Sequence, residues 1–77
     1  MTQDEAINAI IEAANKSGPN SMMHYAASYA EAGRGLTCSD WRVQCLYILN
    51  NLTGWRGDKA KEVKAFLRAQ SSKAKQA

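Results

Sequence analysis

LTCSDWRVQCLYILNNLTG, residues 36–54, is the stretch on which the fold turns. Trp41, Cys45, Ile48, Leu49 and Leu52 recur at three- and four-residue spacing, so a helix carries them on one face. The start of that helix is written just ahead of them. Thr37 stands at the cap position with Asp40 three residues on, and Leu36 is placed to pack on Trp41 as a hydrophobic staple. Gly54 is the expected stop. The far side is unusual, because Val43 and Tyr47 stand there with Asn50. A helix that is apolar nearly all round is either central in its own fold or shared with a second subunit.

Three more helices are readable on either side. TQDE at 2–5 fits a capping box with Thr2 as the cap and Glu5 reaching back to it. Ala6, Ile7, Ile10, Ile11, Ala13 and Ala14 then share one face until KSGPN at 16–20 ends the helix. A second helix is expected to begin near Pro19–Ser21, since proline suits a first turn and Asn20 or Ser21 can cap it. It should run to Gly33 as its C′ residue and bury Met22, Met23, Tyr25, Ala26, Tyr29 and Ala30. A fourth helix starts with Asp58 as N-cap and continues at least to Gln70. Ala60, Val63, Phe66 and Leu67 should face inward, with Lys61, Lys64 and Arg68 in an outer stripe. Residues 71–77 read as a polar, basic tail that frays. With no strand-like alternation and no internal repeat, residues 1–70 are expected to form one compact all-α, four-helix domain.

Size and charge narrow the function. A chain of 77 residues buries only about 60% of its unfolded surface, so its lone core is marginal. Cys38 and Cys45 cannot staple it, because seven helical residues separate their Cα atoms by roughly 10 Å. A disulfide needs less than about 7 Å. Self-association is the expected support. The first residues, MTQDEAIN, carry acids where a signal peptide carries lysines, and CLYIL is far too short to cross a bilayer. With unpaired thiols, that places the chain in the cytoplasm and away from membranes. The net charge is +3, divided as −3 over residues 1–33 and +6 over residues 34–77. Such asymmetry suits an acidic partner at one end, or two halves that attract each other in a dimer.

Candidate chemistry is sparse. His24, Ser28 and Glu31 share a polar stripe, but one histidine cannot build a zinc site, which needs three or four ligands. Cys38 lies in a first helical turn without a base beside it, and Cys45 reads as a small core residue. No catalytic residue, metal or cofactor is therefore expected, and the chain reads as a non-enzyme. A helix-turn-helix over residues 29–44 is disfavoured, since its reading helix would offer Trp41, Val43, Cys45 and Leu46 to the bases.

Binding is the remaining class. Val43, Tyr47, Asn50 and Asn51 suit an interface anchored on tyrosine, unless a helix of the same chain covers them. Lys59, Lys61, Lys64 and Arg68, with Lys73 and Lys75 beyond, are either a solvated face or an anion-binding stripe. Between the third and fourth helices, TGWRGDKAKEV at 53–63 contains Arg56-Gly57-Asp58. A cell-adhesion ligand needs a free Asp58 on an exported loop, whereas here that carboxylate is placed to cap a helix, so the tripeptide reads first as punctuation. Trp55 either folds back as a lid on the core or forms an aromatic platform for a base, with Arg56 nearby for a phosphate.

Arg42-Val43-Gln44, the run from Leu46 to Leu52, and Trp55-Arg56-Gly57 give residues 41–67 a further meaning. The segment resembles short uncharacterised reading frames of phages and prophages. That resemblance carries no site residues. It implies a small non-enzymatic binder in the cytoplasm of a host cell, blocking or redirecting a host factor such as a defence component. The target expected is a host protein or an anionic nucleotide, and the alternative is nucleic acid held by the basic fourth helix and the Trp55–Arg56 turn.

Overall fold

The computed structural model describes residues 1–17 and 22–72. They form four helices, α1 (Gln3–Ser17), α2 (Met22–Gly33), α3 (Cys38–Asn50) and α4 (Asp58–Ser72), and no strand. The expected all-α, four-helix architecture is what the chain adopts. Each helix packs on its successor and α4 returns against α1, closing a body of 38 × 23 × 19 Å. The start expected for α2 at Pro19–Ser21 and the last five residues of the tail lie outside the described residues.

The capping box of α1 forms as read. The Thr2 backbone N–H donates to Glu5 Oε1 at 2.7 Å, and the Glu5 N–H donates to Thr2 Oγ1 at 3.2 Å. Two N–H groups that helix geometry leaves without partners are thereby satisfied. The Thr2 backbone bond, followed by its hydroxyl, holds the Glu5 carboxyl below the usual range. Behind this start Ala6, Ile7, Ile10 and Ala14 are buried.

The α2–α3 corner is tied back to α1. Gln3 Nε2 donates to the carbonyls of Gly33 (2.9 Å) and Leu36 (3.0 Å), covering acceptors exposed by the end of α2. Arg34 reaches Asn8 Oδ1 at 2.9 Å, Asp4 at 3.4 Å and Glu31 at 3.2 Å. Exposed ion pairs add little each, so the amide bonds and the apolar core fix the corner.

Gly33 departs from the expected C′ role. It is the last residue of α2 and is buried, and a Cβ there would lie 3.0 Å from Trp41 Cζ3 and 3.1 Å from Gln44 Cγ. The left-handed position falls on Gly35, at φ 92°. Gly33 thus lets the Trp41 indole approach the α2 backbone. Trp41 is only 4% exposed, and its Nε1 donates to Gln70 Oε1 at 3.1 Å, which joins α3 to α4.

One cap and two other boundaries differ from the sequence reading. Thr37 occupies the cap position of α3 without a side-chain bond, and Cys38 enters the helix at a left-handed φ of 52°. α3 ends at Asn50 rather than at Gly54. The Asn51 N–H donates to Ile48 O at 3.0 Å and the Leu52 N–H to Leu49 O at 3.1 Å, and Asn51 Nδ2 donates to Tyr47 O at 3.0 Å, so Asn51 closes the last turn. Asp58 is the first helical residue of α4 and not its cap. Gly57, at φ 109°, takes that place, and its carbonyl accepts the Lys61 N–H at 3.1 Å.

Even so, the apolar faces of α3 and α4 are those expected. Trp41, Cys45, Ile48, Leu52, Ala60, Val63 and Leu67 are buried, while Leu49 and Phe66 pack half-buried against them. α4 continues through Ser72, with Ser71 buried and its hydroxyl donating to Arg68 O at 3.1 Å.

Candidate functional site

The residues singled out for partner binding separate into two places. Val43, Tyr47 and Asn50 lie exposed on the outer side of α3, and Asn51 lies half-buried at its end. α1 and α2 leave them open to solvent in large part, and only Tyr47 is flanked by an α2 ring. α2 in turn extends the surface, because Met22, Tyr25 and Tyr29 are exposed, contrary to their expected burial. The cause is the width of the apolar arc. Met23, Ala26, Ala30 and Gly33 are buried and Ala27 packs half-buried beside them, so the large side chains on the other edge of the arc point outward. Tyr29 stacks on Tyr47 with ring centroids 5.8 Å apart and 22° between planes. Gln44 fixes the seam by donating Nε2 to Tyr29 O at 2.7 Å.

Met22, Tyr25 and Tyr29 fall at i, i+3 and i+7 along α2, a single stripe. Val43, Leu46 and Tyr47 continue it on α3, and none of the six carries a charge. Tyr25 is 65% and Tyr47 50% exposed. A half-exposed tyrosine offers on the order of 100 Å², so the six side chains leave roughly 500 Å² of largely apolar surface in solvent.

Trp55 and Arg56 belong to a different place, the α3–α4 connection. Trp55 is half-buried and packs on the core, as a lid would, with the rest of the residue open to solvent. Its N–H donates to Leu52 O at 3.0 Å, and its carbonyl accepts Lys64 Nζ at 2.6 Å. Together with Thr53, Arg56, Gly57, Ala60, Lys61 and Lys64, it lines a cleft of about 390 Å³. The Arg56-Gly57-Asp58 tripeptide is the entrance to α4.

The expected anion-binding stripe is thinner than the sequence implied. Lys59 pairs with Glu62 at 3.5 Å and Lys64 is half-buried against the Trp55 carbonyl. Lys61 and Arg68 are exposed. Periodicity placed these side chains on the outside but could not reveal that Lys64 turns back onto the connection. Lys73 and Lys75 are outside the described residues.

The remaining candidates lie on α2 and α3. His24 is half-buried on α2, and Glu31 of the same stripe is engaged by Arg34. Among the described residues no three His, Cys, Asp or Glu side chains converge as a metal-ligating group, and no helix is long and apolar enough to cross a membrane. Both cysteines are free thiols. Cys38 is exposed, whereas Cys45 is buried, and burial pushes its pKa up to about 12.

No family model, curated protein or solved structure matches the chain.

Proposed function

We propose that the protein is a non-enzymatic binding module that docks protein surface through Met22, Tyr25, Tyr29, Val43, Leu46 and Tyr47, and that a second copy of the chain covers this face in the free protein. The uncharged face built around the stacked Tyr29–Tyr47 pair carries the reading. Its roughly 500 Å² lies toward the upper end of the largest patch on a monomer and exceeds half of the area one partner gives to a standard interface. Tyrosine is among the residues that dominate binding energy when enclosed. A small core that gains from company supplies the second reason for self-association. Set beside the phage-like pattern of residues 41–67, such a module would act in a host cytoplasm by occupying and redirecting a host factor, with no bond made or broken.

Light scattering coupled to gel filtration tests the docking. The expected mass is twice that of the protomer at micromolar concentration, returning to one protomer in Tyr25→Ser/Tyr47→Ser with helix content unchanged. A wild-type chain that remains a monomer into the millimolar range overturns self-docking. A dimer indifferent to both substitutions shows that another face is used.

A further inference from the structure

We infer that the cleft between the α3–α4 connection and the first turns of α4 binds a nucleotide, with the base against Trp55 and the phosphate between Arg56 and Lys61. The space is adequate. At about 390 Å³ it falls within the range of small-molecule sites, about 300–1,000 Å³. Its charge has one sign, since Arg56, Lys61 and Lys64 line it and no carboxylate does. Lys64 donates one of its three ammonium hydrogens to the Trp55 carbonyl, leaving two donors and the full charge for a ligand. The same bond holds the connection, and so the indole, in place.

The surroundings of Trp55 argue against a lid alone. This residue also borders two more hollows open to solvent, about 310 Å³ beside Ala9, Glu12, Ala13, Lys16 and Lys59 and about 260 Å³ beside Ser17, Met22, Met23, Asn51 and Gly54. A half-buried indole with open space around it is a stacking platform of the kind that holds bases. Asp58 sits in the first turn of α4 and occupies the anion-favouring helix end, so a phosphate here is held by the Arg56 and Lys61 side chains without help from the helix N-terminus. Glu62 is paired with Lys59. Gly57 keeps the floor open, with nothing within 4 Å of where a Cβ would stand.

Base plus phosphate is shared by free nucleotides and by units of a single strand. Fluorescence titration of the whole chain separates them, because the chain has two tryptophans and Trp41 is buried. AMP, adenosine, ribose 5-phosphate, inorganic phosphate and a short single-stranded oligonucleotide are the probes. Saturable quenching by AMP is expected, at least tenfold weaker in Arg56→Ala/Lys61→Ala with the circular dichroism unchanged, and weaker for adenosine or ribose 5-phosphate alone. Tighter binding of the oligonucleotide with a steeper salt slope, also lost in the double variant, identifies a strand as the source. The inference fails if no probe quenches, if inorganic phosphate matches AMP, if the double variant binds as well, or if Trp55→Phe keeps the signal. The residues are disjoint from the α2–α3 face, so that outcome leaves the docking proposal standing.

Discussion

The two cysteines show how one residue type takes opposite properties from its place. Cys45 sits at zero exposure between α3 and the core, and its thiol stays neutral because burial disfavours the thiolate. Cys38, seven residues earlier, is in solvent. A native-state titration with a disulfide reagent is therefore expected to show one thiol reacting at once and a second only after denaturant is added. The pH dependence has a definite sign. Above about 8.5 the unfolded chain loses the Cys45 proton while the folded chain retains it up to about 12, so stability falls as pH rises through that window. Cys45→Ala should flatten the alkaline slope in a urea melt; an unchanged slope would show that other groups dominate it. The sequence made Cys45 legible, because helical spacing put it beside Trp41 and Ile48. Trp55 was not legible in the same way. A residue in a connection has no period, and only the fold shows an indole that is core on one side and cleft wall on the other.

Among the elements, α2 is the one whose buried face needed correction, and Gly33 is the reason it can be tested. Replacing glycine by alanine inside a helix ordinarily stabilises by about 0.5–1 kcal/mol. Gly33→Ala is expected to do the reverse. Its methyl would meet Trp41 at 3.0 Å, and the indole cannot retreat because it is buried and bonded to Gln70. Overpacking typically costs about 1–3 kcal/mol, so the net loss is about 1 kcal/mol, or a Tm lower by about 4–8 °C. Gly54→Ala is the control, since nothing lies within 4 Å of its Cβ position, and it should leave Tm unchanged or slightly raised. Equal behaviour of the two variants would remove the close approach of Trp41 as the role of Gly33. The helix-spaced pattern found α2 but misjudged its outer stripe. Tyr25 and Tyr29 look like core residues in a wheel, and only the number of neighbouring helices decides how much of an apolar arc is covered. α1 and α4 have narrower arcs, and their buried residues match the reading closely.

At the scale of the molecule, two surfaces with different physics should respond differently to salt. The α2–α3 face has no charged member, so the self-association we propose for it would rest on removing apolar area from water. Sodium chloride at moderate strength should hardly alter the dimer, while sulfate should tighten it by favouring burial. Nucleotide quenching at the cleft should weaken with either salt, because Arg56 and Lys61 are exposed and their attraction for a phosphate is screened within about 10 Å at 0.1 M. Coupling of association to folding gives the decisive form of this test. If only the native protomer dimerises, mass action makes Tm rise with protein concentration, and the rise should persist in sodium chloride and steepen in sulfate. In Tyr25→Ser/Tyr47→Ser the concentration dependence should vanish, leaving a Tm that reports the isolated four-helix core. That core is tied by Gln3 to the α2–α3 corner and by Trp41 to α4, so the variant should still melt cooperatively. A wild-type Tm that is flat across a hundredfold range of concentration would mean that solvent, and not a second copy, is what the tyrosine face meets.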